Sequence, residues 1–148
     1  LCAELAEPLW KLNIPEHNMH EALSLCAKHL LDVVLQPRAL ALHRLMIAEG
    51  HRFPQVAQAI HAAGHAQAGQ MIAGWIGARE AQGRLRDDAP ASELANQFVD
   101  LLVAGPQLRA FVGIESQSVT PADRHRLADR VVDIFLNGAV KKKDKNEE

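Results

Sequence analysis

The chain has 148 residues and a formal net charge of −2, which is enough for one domain with a real core and gives no basic excess to draw it onto nucleic acid. Hydrophobic residues make up 48% and charged residues 23%, but aromatics only 4% and Tyr is absent, so the core has to be built from Leu, Ile, Val and Ala. Two cysteines, Cys2 and Cys26, make no disulfide framework, and no apolar run reaches the ~18 residues that a membrane span needs. Each cysteine falls in a helical pattern and reads as a small core residue in a reducing compartment. With no signal peptide visible, the expected location is cytoplasmic.

Apolar residues recur at i, i+3 and i+4 along the chain, and strand-like alternation is absent. A first helix is expected over Leu1–Leu12, where Leu1, Leu5 and Leu9 recur, and Asn13-Ile14-Pro15 ends it. This helix opens without Met and without a capping residue, so it reads as the continuation of something that preceded Leu1. Asn18 then has the character of an N-cap, with Glu21 as its capping-box partner. The helix that follows carries Leu23, Cys26, Ala27, Leu30, Leu31 and Val34 on one face and stops before Pro37. Pro37 suits the first turn of the next helix, which runs to Glu49 with Gly50 at C′. Its LHRLMIAE segment is apolar nearly all round yet carries His43, Arg44 and Glu49, the pattern of a helix buried on most sides.

Pro54 opens a long helix expected to reach about Gly83. Its Gly64, Gly69, Gly74 and Gly77 each cost ~1 kcal/mol relative to Ala. That cost is tolerated where another backbone packs close or where the helix bends. Gly83–Pro90 is a polar connection with turn residues. The next helix, Ala91 to about Val112, places Leu94, Phe98, Leu101, Leu102, Gly105, Leu108 and Val112 on one face, with a kink expected at Pro106. After a loop from Gly113 to Val119, Thr120-Pro121-Ala122-Asp123 is a start signal of cap, proline at N1 and acid at N3. The last helix shows Leu127, Val131, Ile134, Phe135 and Gly138 on one face. The reading is an all-α bundle of about six helices over residues 1–140, followed by a charged tail at 141–148 that is expected to be disordered.

The 8 histidines raise the question of a metal. His61 and His65 are spaced i, i+4 and His17 and His20 i, i+3, spacings that chelate. However, Ser24 stands where the second His of an HExxH motif belongs, no Glu has a His three residues later, and Ala and Gly surround His61 and His65. No metal and no other cofactor is expected. Ser24, Ser92, Ser116 and Ser118 lack the setting of an activated nucleophile, and there is no strand to precede a phosphate loop, so the chain does not read as an enzyme.

The stretch LALHRLMIAEGHRFPQVAQAIHAAG resembles a segment of TetR-family transcriptional regulators, through Leu42, Arg44, Leu45, Ile47, Ala48, Glu49, Arg52, Phe53, Pro54 and Val56. Ala81, Gly83 and Leu85 match a following turn. ANQFVDLLVAGPQLRAFVG resembles the family's penultimate helix through Ala95, Phe98, Leu101, Leu102, Gly105, Leu108, Arg109 and Gly113. VVDIFLNG, Val131 to Gly138, resembles its final signature. The resemblance runs from Leu23 to Val140.

It implies a TetR C-terminal-domain-like bundle whose last two helices meet those of a second copy in a four-helix interface. An N-terminal helix-turn-helix domain would lie upstream of Leu1, with Leu1–Leu12 as the connector from it. The chain would then be the effector-sensing and dimerisation half of a regulator, expected to be a repressor. It would pair as a homodimer, take a small hydrophobic effector, reach operator DNA only through the absent domain, and need no membrane. On this resemblance Pro37–Glu49 forms the floor of a ligand cavity, touching the connector on one side and the ligand on the other.

The residues expected to line that cavity are Leu30, His43, Met46, Met71, Trp75, Phe98 and Leu102. Each of them serves equally well as plain core, and His43 as a hydrogen-bonded core histidine. The expected dimer face is Leu101, Leu108, Phe111, Val112, Leu127, Val131, Ile134 and Phe135. The alternative is a standalone helical dimerisation or interaction module without ligand or DNA function, with a filled core.

Overall fold

The computed structural model describes residues 18–80, 89–114 and 120–139. The helices are α1 Met19–Val34, α2 Pro37–Glu49, α3 Pro54–His61, α4 Gln67–Glu80, α5 Ala91–Phe111 and α6 Pro121–Ala139, and the described residues contain no strand. The π-helical turn Ala62–Ala66 joins α3 to α4 with right-handed backbone at both ends, so the two run on as one rod. The expected connector Leu1–Leu12, Cys2, His17, the turn residues Ala81, Gly83 and Leu85, and the 141–148 tail lie outside the described residues.

The start signals act as their chemistry dictates. Asn18 Oδ1 accepts from the Glu21 amide at 3.1 Å. Pro37, Pro54 and Pro121 open α2, α3 and α6, where a missing N–H removes no bond. Thr120 and Asp123 satisfy each other in a capping box. The Thr120 hydroxyl oxygen accepts from the Asp123 amide at 3.2 Å, and the Thr120 amide donates to the Asp123 carboxylate at 2.9 Å. The Thr120 hydroxyl also donates to the Asp123 carboxylate at 2.7 Å, and this bond, with that from the Thr120 amide and the nearby Arg126 charge, holds the carboxyl below the usual carboxylate range. Helix α5 runs unbroken through the buried Pro106, which removes one bond from the i→i−4 ladder. It ends in a Schellman motif: Ile114 donates to the Arg109 carbonyl at 3.0 Å and Gly113 to that of Ala110. Gly113 has φ +73°, a left-handed conformation that side chains with a Cβ disfavour. Gly50, by contrast, closes α2 in right-handed conformation at φ −60°, not in the left-handed turn typical of a C′ glycine.

The core is a single cluster drawn from α1, α4, α5 and α6. Phe98 is wholly buried at its centre, with its ring 4.9 Å from that of Phe135. Helices α4 and α5 run antiparallel, since Gly69 faces Asn96 while Gly77 faces Ala91. A Cβ on Gly69 would lie 2.8 Å from Asn96 Oδ1, so the glycine is what lets the two helices approach. The expected α1 face is inside, with Cys26 in it, where burial pushes the thiol up to about 11.

A ladder of charges closes the α1–α6 seam. His20 meets Asp133 at 2.8 Å, Lys28 meets Asp129 at 2.7 Å, and Asp32 meets Arg124 at 3.2 Å and His125 at 2.9 Å. The partner numbers fall as those of α1 rise, so this pair is antiparallel too. Burial alone would raise the Asp32 carboxyl, but the hydrogen bonds and charges of His125 and Arg124 outweigh it and hold the group below its ordinary value. At Asp129, burial is likewise outweighed by the bonds from Lys28 and Ser24 and by the Lys28 and His20 charges.

One expectation is corrected. Helix α2 is not buried on most sides: Ala39 is its one buried residue, while Leu45 and Ile47 are 55% and 60% exposed. The four-helix core is complete without it, so α2 packs on a single side, and apolar residues on its other faces meet solvent.

Two outcomes follow. Thr120→Ala should lower stability by about 1 kcal/mol, read from the urea midpoint. A depressed carboxyl stabilises above its unfolded pKa and loses that contribution as pH falls through its folded value. Unfolding free energy should therefore drop on going from about pH 5 to about pH 3, and Asp32→Asn should make that slope shallower.

Candidate functional site

Where α2 leaves the core, a cavity remains. Leu30, Val33 and Val34 of α1 form one wall, and Ala39, Leu42 and His43 of α2 the next. Ile60 of α3, Gly64 and His65 of the π turn and Ala68 of α4 supply a third, and Val99, Val103 and Gln107 of α5 close it. Its volume is about 70 Å³, several times the ~10–15 Å³ that one water needs. The wall is aliphatic except for His43, His65 and Gln107.

Local structure positions these polar groups. His43 Nδ1 donates to the Ala39 carbonyl one turn earlier at 2.9 Å. The proton therefore sits on Nδ1, and Nε2 keeps its lone pair. The His43 ring also stacks on Phe111 with centroids 6.1 Å apart. His65 stacks on His61 at 5.3 Å and lies 3.6 Å from Asp100. Burial holds the His65 imidazole below the usual histidine value, although Asp100 pulls the other way. His65 therefore stays neutral at pH 7. Among the described residues no group of histidine, cysteine and carboxylate side chains is arranged to hold a metal ion.

Helix α2 is fastened at the same end. Arg44 donates from its guanidinium to the Ala110 carbonyl at 2.7 Å, in the last turn of α5. His43 and Arg44 thus connect the cavity wall to the C-terminal turn of α5 by a ring stack and a charge-assisted bond.

The cavity brings together two of the residues expected from sequence, Leu30 and His43. Met46 faces a separate open groove between α2 and α3, with Leu45, Glu49, Phe53 and Val56. Met71 and Trp75 border a small hollow against Ala22, Leu23 and Cys26. Phe98 and Leu102 are fully buried in the core. Sequence reasoning passed over Val99 and Val103, which follow those two by one residue, and it weighed His65 only as a chelator. Gln107, a half-buried polar residue next to the buried Pro106 and four residues after Val103, was the available signal.

The residues expected at a dimer face divide as well. Leu101, Leu108 and Val112 of α5 and Ile134 of α6 are exposed, at 48–62%. Their 101, 108, 112 spacing on α5 makes one stripe beside the buried 98, 102 stripe. Phe111 and Leu127 are half-buried. Val131 and Phe135 are 5% and 9% exposed and belong to the chain's own core.

The model of the family described as AefR-like transcriptional repressor, C-terminal domain, matches residues 21–138. The chain belongs to this TetR family. Its fold is also similar to a solved structure from Mesorhizobium loti MAFF303099, described as a candidate TetR-family transcriptional regulator, with a TM-score of 0.81 and 23% identity over 95% of this chain and 68% of that one. No curated protein matches the sequence significantly. The TetR-family C-terminal bundle is thus the frame that holds the cavity. No helix among the described residues is long and apolar enough to cross a membrane.

Arg44→Ala should release α2 from α5. The expected result is faster amide hydrogen exchange over residues 37–49 with exchange in α1 and α6 unchanged, and a stability loss of roughly 1 kcal/mol or less because the bond is exposed.

Proposed function

We propose that the chain is the effector-sensing and dimerisation domain of a TetR-like transcriptional repressor that works in the cytoplasm. A small hydrophobic ligand fills the cavity between α1, α2, the π turn and α5, and its binding alters how a separate N-terminal domain grips operator DNA. The observation that carries this reading is the cavity itself: an aliphatic hollow with a few convergent polar groups, which is the usual form of a small-molecule site. It lies where α2 meets the edge of the core, whose Leu30, Ala68, Val99 and Val103 form part of its wall.

The exposed stripe of Leu101, Leu108, Val112 and Ile134 supports a homodimer through α5 and α6. The exposed apolar groove of α2 and α3, with Leu45, Phe53 and Val56, suits the connector from the DNA-binding domain. Coupling then needs ligand to favour one position of α2, which Arg44 and His43 relay to the end of α5. Such coupling is typically worth 1–3 kcal/mol.

The test is direct. Ile134→Asp and Leu108→Asp should each convert a dimer to a folded monomer in analytical ultracentrifugation, with helical circular dichroism retained. A chain that stays dimeric in both variants rejects the interface. In a thermal-shift series of small hydrophobic compounds, consistent stabilisation by one class supports the sensor, since a ligand that binds only the folded state raises its apparent stability. Uniform silence favours a helical interaction module without ligand.

A further inference from the structure

We propose that the cavity selects an uncharged amphiphile, an aliphatic chain ending in a hydroxyl or amide head whose proton is donated to His43 Nε2. The inference rests on the reading of the cavity as an effector site and adds what that effector must carry.

Three observations converge on it. The first is charge. Among the described residues no Lys, Arg, Asp or Glu lines the cavity. A carboxylate or ammonium group entering it would lose its water without gaining a partner, which is costly. Asp100 stands 3.6 Å from His65 but is not part of the wall. His65, held neutral by burial, offers no fixed positive charge.

The second is the body of the ligand. Apart from the two imidazoles and the Gln107 amide, the lining side chains are aliphatic, among them Leu30, Leu42, Ile60 and Val103, and no aromatic carbocycle is present among the described ones. The wall thus has no π-face on which to hold an organic cation. A flexible alkyl chain fits the aliphatic surface best.

The third is the direction of the hydrogen bond. Donation from His43 Nδ1 to the Ala39 carbonyl fixes the tautomer, and the Phe111 stack steadies the ring. Nε2 is thereby an acceptor, so it demands a donor from the ligand. Gln107 carries both a donor and an acceptor and serves either side of a hydroxyl or amide. The π-helical turn adds to the case, because such turns frequently sit at functional sites and this one supplies Gly64 and His65 to the wall.

The experiment compares four probes that share one six-carbon chain: 1-hexanol, hexyl methyl ether, hexanoate and hexylamine. Binding to the unaltered chain is measured at pH 7.5 by calorimetry and by saturation-transfer NMR. The expected order is hexanol about three- to tenfold tighter than the ether, from one hydrogen bond, with hexanoate and hexylammonium weaker than both. His43→Phe, which keeps a ring against Phe111, should bring hexanol down to the ether and leave the ether unchanged. Gln107→Met gives a second variant should His43→Phe fail to fold, and should narrow the same difference. Leu42→Trp, which fills the cavity from a half-buried position, should weaken every probe.

An ionic probe that binds as tightly as hexanol and is displaced by Leu42→Trp overturns the proposed class while the effector cavity stands. An ether as tight as hexanol overturns the donor requirement in the same way. If no probe binds, or if Leu42→Trp changes none of them, the effector-site reading itself is rejected, and the ligand class with it.

Discussion

The contact between Phe98 and Phe135 ties α5 to α6 at the centre of the bundle, and the rest of the molecule is arranged around it. With the two rings 4.9 Å apart, the inner faces of α5 and α6 are spent on each other and on α1 and α4. Gly69 lets α4 close in on α5 from one side, and the Asp32, Asp129 and Asp133 ladder fixes α6 along α1 on the other. Once those four helices have closed, only the edge of the core at Leu30, Ala68, Val99 and Val103 is left for α2 to face. It leans on the end of α5 through His43 and Arg44, and the hollow beside it is the geometric remainder.

On the proposed reading, this arrangement puts the effector site at the edge of the fold. A buried cavity inside a four-helix core would cost stability at every wall. A cavity between a finished core and a loosely held helix lets α2 shift while Phe98 and its neighbours stay in place. The polar fastening at the α2–α5 contact is one ring stack and one exposed charge-assisted bond, and on the proposed reading it is the part that a ligand would shift.

Much of this was legible in the sequence, for identifiable reasons. Helix starts are local chemistry: Asn18, Pro37, Pro54 and Thr120 satisfy or remove orphan donors of their own first turns, whatever the tertiary context. The inner face of α1 was legible because that helix packs with a single periodic stripe. The exposure of α2 was not, because apolar residues all round a helix say how hydrophobic it is and not which faces have neighbours. The cavity was half legible for a related reason. On α5, the step from Phe98 to Val99 turns the side chain by about 100°, so that Val99 lines the cavity as well as the core while Phe98 lines the core alone. The same step separates Phe135, in the core, from Ile134, in solvent. A stripe as wide as those on α5 and α6 marks both surfaces without dividing them. The family resemblance supplied the fold, and its α5 segment, ANQFVDLLVAGPQLRAFVG, contains Val99, Val103 and Gln107, but the likeness rested there on Ala95, Phe98, Leu101, Leu102, Gly105, Leu108, Arg109 and Gly113 and picked out none of the three.

The π turn at Ala62–Ala66 has a consequence for how this wall tolerates change. An i→i+5 turn holds one residue more than an α-helical turn, so the rod from Pro54 to Glu80 carries an extra residue in its length. Deleting an alanine there would restore a regular α-helix, and because the wider turn absorbs the extra residue, α4 beyond it would keep its facing, with Gly69 still against Asn96. The change would fall on the wall, since Gly64 and His65 line the cavity from within the turn. Core contact and cavity wall on this rod are therefore separable, and the wall is the part that depends on the rod's length.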